Sequence, residues 1–262
     1  MSTPALCVLT GASGGLGHAM AKALAKVGYR LLLVGRNEIK LKQLNNQLGS
    51  LHSHLVADLT TEQGRQDLVR LAEQLGGADV LINNAGVNTF SGFSEQSTCE
   101  ISKTLEVNLL VPMLITHGFL PQMRNKAEAK LVNVGSAFGS IGFPYHSTYC
   151  ASKFGLRGFT EALKREFSDQ TLAVLYIAPR ATDTEINGRT ERAVNSALGN
   201  QMDSPEKVAE LLIKQLKTGE SRNVIGFPEK LFVKLNSLFP SLVDSAIAKK
   251  LLVMKRVLNE LN

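Results

Sequence analysis

A tyrosine and a lysine stand four residues apart in Tyr149-Cys-Ala-Ser-Lys153, inside a stretch of helical period that runs from 147 to 168. Helical spacing puts both side chains on one face. A phenol ordinarily titrates near roughly pH 10, so at neutral pH it works as an acid or base only where a neighbouring cation favours phenolate. Lys153 is spaced to supply that cation. Ser136 lies thirteen residues before the tyrosine, in Asn133-Val-Gly-Ser-Ala-Phe-Gly139 at the end of an apolar run. That is the carboxyl edge of a strand, where open α/β sheets bind ligands. The Tyr-Lys spacing alone also arises on ordinary helix surfaces, so its meaning depends on its surroundings.

A second chemical motif follows the first apolar run. Thr10-Gly-Ala-Ser-Gly-Gly-Leu-Gly17 leads into the helical pattern of Ala19, Ala23 and Ala25. Glycines between a strand and a helix let the backbone approach a pyrophosphate and aim the unpaired N–H groups of the helix at it; they also make plain tight turns. In a dinucleotide fold the end of the next strand holds an acid for the ribose hydroxyls when the cofactor is NAD. Here that position reads Gly35-Arg36-Asn37. A guanidinium can bind a 2′-phosphate that an acid would repel, which points to NADP(H). The alternative is that Arg36 simply faces solvent.

These residues need a frame. Apolar runs at 5–9, 30–34, 51–57, 79–82, 130–134, 172–178 and 223–225 alternate with helical patterns near 15–28, 37–48, 61–75, 97–124, 147–168 and 204–217. This is the rhythm of repeated βαβ units around a buried parallel sheet. With 262 residues, 44% hydrophobic and 20% charged, the composition is that of a globular protein and excludes disorder and fibrous repeats. The net charge of +6 is scattered, so no nucleic-acid partner is expected. Cys7, Cys99 and Cys150 share no metal-ligand spacing, which points to reduced thiols in the cytoplasm and no metal. Met1–Pro4 carries no basic charge and gives no signal peptide, and the uncharged run Leu109–Ile115 is too short to span a bilayer.

Taken together and in order, the motifs resemble the short-chain dehydrogenase/reductase family over about 220 residues: the loop Thr10–Gly17, Asp58 after the third strand, Asn83-Asn-Ala-Gly86 after the fourth, then Asn108, Ser136, Tyr149, Lys153 and Pro179–Thr184. The resemblance implies an α/β fold, a doubly wound Rossmann-type sheet over residues 1–226, with 227–262 as a C-terminal helical extension. It implies Tyr149 as proton donor or acceptor, Ser136 on the substrate oxygen, and Lys153 lowering the tyrosine pKa while holding the nicotinamide ribose. It further implies cofactor contacts from Gly11, Ser13, Gly15, Leu16, Gly17, Arg36, Asp58 (at the adenine), Leu59, Asn84, Ala85, Gly86, Pro179, Thr182 and Thr184, the last at the carboxamide. Asn108 is implied to bind a water through its main chain as a proton relay; its carbonyl is the one that Pro112, lacking an N–H, leaves free four residues on. One position departs from the family pattern: Arg180 follows Pro179 where glycine is usual. It is read either as a contact to substrate or phosphate or as a structural ion pair.

The loops after strands four, five and six contribute Phe90, Phe93, Phe138, Phe143 and Tyr145, which suits an apolar carbonyl or alcohol substrate better than a small acid. The family's common ending near Asp-Gly-Gly is missing, which weakens the common assignment as a 3-oxoacyl carrier-protein reductase. Lys230–Phe239 and Leu242–Leu261 read instead as amphipathic helices, and from Arg222 onward seven basic residues face three acidic ones. They suit a cap over the cleft, a subunit interface, or a membrane surface. The expected activity is an NADP(H)-dependent carbonyl reductase or alcohol dehydrogenase, a homodimer or homotetramer. The alternatives are an idle NADP-binding regulator and a membrane-docked reductase of lipophilic substrates.

Overall fold

The computed structural model describes residues 4–261. Met1–Thr3, part of the segment read as lacking a leader, and Asn262, the last residue of the extension, lie outside them. Seven strands, β1 (Leu6–Thr10), β2 (Arg30–Gly35), β3 (Ser53–Val56), β4 (Val80–Asn83), β5 (Ala129–Val134), β6 (Leu172–Ala178) and β7 (Arg222–Val224), form one sheet. Every pairing is parallel and the order is β3-β2-β1-β4-β5-β6-β7. β1 and β4 are buried on both faces, which is why their sequences are continuous apolar runs without alternation. The chain builds outward in one direction from β1 to β3 and in the other from β4 to β7, so a crevice opens at the carboxyl ends of β1 and β4.

The helices are α1 (Gly15–Lys26), α2 (Glu38–Gln47), α3 (Glu62–Gln74), α4 (Thr98–Leu105), α5 (Val111–Arg124), α6 (Ser147–Glu166), α7 (Arg189–Ala197), α8 (Pro205–Thr218), α9 (Glu229–Leu238) and α10 (Pro240–Leu261). Met20 and Leu24 of α1 pack with Val208 and Leu212 of α8 on one face of the sheet, against Leu9, Leu33 and Ile82. Leu68 of α3, Ile115 and Phe119 of α5 and Leu163 of α6 cover the other face. A third cluster joins Val233 of α9 and Val243 of α10 to Ile141, Tyr176 and Val224. No helix among the described residues is long and apolar enough to cross a membrane.

Three elements differ from the sequence expectation. The segment 97–124 is not one regular helix: a π-turn at Glu106–Leu110 separates α4 from α5, immediately before Pro112, which cannot donate to the carbonyl of Asn108. The edge strand β3 is shorter than 51–57, because Leu51 lies outside it and is exposed. α7 was not expected at all; its sequence is mostly polar, and of its apolar side chains Val194 is buried.

Candidate active site

β1 ends at Thr10, and the chain turns at Gly11 with φ +67, a left-handed conformation that favours glycine. A Cβ there would also lie 2.8 Å from the Cα of Ala85. The close approach is fixed by Thr10, whose Oγ1 accepts the N–H groups of Asn84 and Ala85 at 3.0 Å each, while Asn84 Nδ2 donates to the Thr10 carbonyl at 3.0 Å. The ends of β1 and β4 are thereby joined. α1 begins directly behind this turn, without an acid in its first turn, so its positive end stays uncompensated. This cradle fits the pyrophosphate of a dinucleotide, and side chains in place of its glycines would fill it.

The cradle opens into a cavity of about 730 Å³. Its wall takes in Gly11, Ser13, Gly15, Leu16, Gly17, Arg36, Asp58, Leu59, Asn84, Ala85, Gly86, Ser136, Tyr149, Lys153, Pro179, Thr182 and Thr184. Arg36 is exposed at the end of β2 and makes no ion pair among the described residues. Asp58 accepts the N–H and hydroxyl of Thr60 at 3.0 and 2.8 Å; these bonds, aided by the charge of Arg36, hold its carboxyl below the usual carboxylate range.

α6 carries Tyr149 and Lys153 on one face, with Lys153 Nζ 5.8 Å from the centroid of the tyrosine ring. The same Nζ donates to the Val134 carbonyl at 3.0 Å, and burial brings its pKa down to about 8. Ser136 ends the β5 loop as the cap of a short 3₁₀ turn, its Oγ accepting the Phe138 N–H at 3.1 Å. The preceding Gly135 has no room for a Cβ, which would run into the hydroxyl and ring of Tyr176 on β6. Burial pushes the Tyr149 phenol well above its ordinary value, and the Ser136 hydroxyl opposes this only in part. The lowering expected from Lys153 is not among these influences; desolvation dominates and holds Tyr149 as a phenol.

Asn108 does not reach the cavity wall. It is fully buried, and its side chain forms a two-way pair with the main chain of Val87: Oδ1 accepts the N–H and Nδ2 donates to the carbonyl, both at 2.8 Å. Nδ2 also meets Ser152 Oγ at 3.1 Å. This side-chain role, which fixes the turn after β4 from beneath, had no signal in the sequence. Arg180 is a structural ion pair. Its Nε and Nη2 each meet a carboxylate oxygen of Asp203 at 2.9 Å, and Nη1 lies 3.4 Å from Glu229.

The substrate half of the cavity contains a polar group that sequence reasoning missed. His146 Nε2 and Glu191 Oε1 are 3.1 Å apart, and Asn88 Nδ2 donates to Glu191 Oε2 at 2.7 Å. His146 Nδ1 lies 3.2 Å from the Pro144 carbonyl. Phe90, Phe138 and Phe143 surround the imidazole, with Phe138 and Phe143 stacked at 4.9 Å. Two of the five predicted aromatics are not on the wall: Phe93 turns to solvent in a 3₁₀ turn, and Tyr145 packs on Phe90 from behind, 5.7 Å away. The far wall is made by Phe232 of α9 and by Val243, Ile247, Lys250 and Met254 of α10. The terminal helices thus contribute part of the cavity wall.

Residues 5–195 match the family model described as short chain dehydrogenase. The 3-oxoacyl-[acyl-carrier-protein] reductase of Rickettsia bellii is 30% identical over 230 residues, covering 84% of this chain and 94% of that protein. The 2,3-dihydroxy-2,3-dihydro-p-cumate dehydrogenase of Pseudomonas putida is 32% identical over 193 residues, 72% of this chain and 74% of that one. Among solved structures, a short chain dehydrogenase/reductase from Burkholderia phymatum in complex with NAD superposes with a TM-score of 0.83 at 22% identity, over 91% of this chain and 95% of that one.

Proposed function

The chain belongs to the short-chain dehydrogenase family, and on that premise we propose that it is an NADP(H)-dependent oxidoreductase acting on an apolar ketone, aldehyde or secondary alcohol, with Tyr149 as the acid and base. The observation that carries this reading is the continuity of one cavity, from the glycine cradle past Tyr149, Lys153 and Ser136 to a wall of aromatic and aliphatic side chains. When bound, the nicotinamide supplies or accepts the hydride. Tyr149, a phenol in the buried site, gives its proton to the carbonyl oxygen during reduction and takes it back in the reverse direction. Ser136 holds the substrate oxygen by a hydrogen bond. Lys153 binds the nicotinamide ribose and, once the cofactor's charge joins it, favours the phenolate. Asp58 receives the adenine, Leu59 and the turn Asn83–Gly86 support the cofactor, and Thr184 receives the carboxamide. The main chain of Asn108 carries the proton relay to solvent.

Arg36 is our basis for NADP(H). It is a guanidinium on the cavity wall without an ion pair among the described residues, and with no carboxylate at Gly35 or Asn37. Titration calorimetry with both cofactors tests this. Wild type should prefer NADPH, and Arg36→Ala should weaken NADPH by about ten- to a hundredfold, the worth of one charge-assisted contact, while NADH binding holds. Equal losses, or a wild type that prefers NADH, would overturn the assignment. NADPH oxidation across a panel of ketones and aldehydes tests the reaction itself, and a silent panel would refute it.

We further propose a homo-oligomer in the cytoplasm. Leu110, Met113 and Leu114 around the start of α5, and Phe154 on α6, are large, apolar and more than a third exposed, which supports burial against a second copy. The three free cysteines suit a reducing compartment. Light scattering should report a dimer or tetramer for the wild type and a smaller species for Leu114→Glu.

A further inference from the structure

Apart from Lys250, the ionisable side chains of the substrate half have ionisable neighbours among the described residues. Glu191 faces His146, and Arg180 faces Asp203 and Glu229. Lys250 has no acidic partner among the described residues. Its Nζ lies 5.9 Å from the centroid of the Phe143 ring and 3.5 Å from Asn200 Oδ1.

Its place on α10 is informative. Val243, Ala246, Ile247, Lys250 and Met254 all line the cavity, at the spacing of a single helix face. Four of the five are apolar; the lysine interrupts a stripe that is otherwise ordinary packing surface. Lys249, next to it, is exposed and away from the cavity. A half-buried cation on an apolar wall is costly without an opposite charge. No residue among those described supplies that charge, whereas Lys250 lines the open cavity.

We propose that Lys250 is a specificity-determining residue that binds an anionic group at the far end of the substrate, so that the substrate is an apolar chain with a carbonyl or hydroxyl at one end and an anion at the other. This rests on the hydride-transfer reading of Tyr149 for which end reacts. From the Tyr149 ring the wall runs 6.2 Å to His146, 6.1 Å on to Phe143 and 5.9 Å on to Lys250 Nζ. A chain of several carbons fits along the aromatic steps between the two ends. The anion is a carboxylate or a phosphate ester, and a cation on an apolar wall suits both.

Calorimetry on the full chain tests the anion site without turnover. Hexanoate, octanoate, decanoate and dodecanoate should bind with a length optimum, and decanoate about tenfold or more tighter than methyl decanoate, as for one charged contact. Decyl phosphate stronger than decanoate would identify a phosphate ester as the anion; the reverse would identify a carboxylate. Lys250→Met should abolish the preference for acid over ester, and Lys250→Glu should turn it to decylamine, a gain that a misfolded variant cannot give. Equal binding of decanoate and its methyl ester by wild type, or an acid preference that survives Lys250→Glu, would overturn the proposal. The kinetic arm compares oxodecanoate with its methyl ester as oxidants of NADPH. If neither is reduced while the binding preference stands, the hydride reading fails and the anion site remains.

Discussion

Tyr149 is held by two opposed influences, burial that keeps its proton on and a hydroxyl neighbour that eases it off. Tyr149→Phe removes only the transferable proton, so kcat should fall by about 10²–10⁴-fold while cofactor affinity by calorimetry stays near wild type. Retention of more than about a tenth of the rate would deny the tyrosine its part. This residue, with Lys153 and Ser136, was legible because local spacing carried the signal: one helical turn and one strand end. The His146, Glu191 and Asn88 group was not, since Asn88 and Glu191 are 103 positions apart and meet only through the fold. Asn108 was half legible. Pro112 marked its carbonyl, but nothing marked the pairing of its side chain with Val87 across 21 positions.

Among the elements, the strand and helix rhythm was readable because a parallel sheet buried on both faces writes continuous apolar runs. α7 escaped because a short helix of mostly polar residues lacks that period, and the π-turn because Pro112 marked a freed carbonyl but not the extra residue in the turn. Arg180 shows what such segments rely on for their position. It joins the loop after β6 to Asp203, before α8, and to Glu229 at the start of α9, and its side chain is only 8% exposed. Arg180→Ala should lower unfolding free energy by about 2–4 kcal/mol, since Asp203 would keep only Lys207 as a partner. Urea denaturation measures it, and a loss below about 0.5 kcal/mol, within the range of ordinary surface substitutions, would mean that the pair is not structural.

For the whole molecule, buried acids that resist ionisation set the alkaline limit. Burial raises Cys7 far above its ordinary value of 9.0, raises Cys150 and Tyr149, and brings Tyr176 to about 12. Each group keeps its proton in the fold at a pH where the unfolded chain has lost it. Their contribution is therefore full below pH 9 and drains away above it. Lys153 acts the other way, its burial penalty easing between about 8 and 10.5, against several groups that lose stability. Stability by urea titration should fall steadily above about pH 9, and a flat profile up to pH 11 would contradict the buried assignments. The cavity also has an order in the chain. Gly11 begins it, Tyr149 and Lys153 lie mid-chain, and Met254 closes it. As synthesis proceeds from the amino end, the glycine cradle is written first and the α10 side of the cavity last. A chain released before α10 would keep the glycine cradle, Tyr149 and Lys153 but lack Val243, Ala246, Ile247, Lys250 and Met254, so the completeness of the cavity wall depends on translation reaching its final turns.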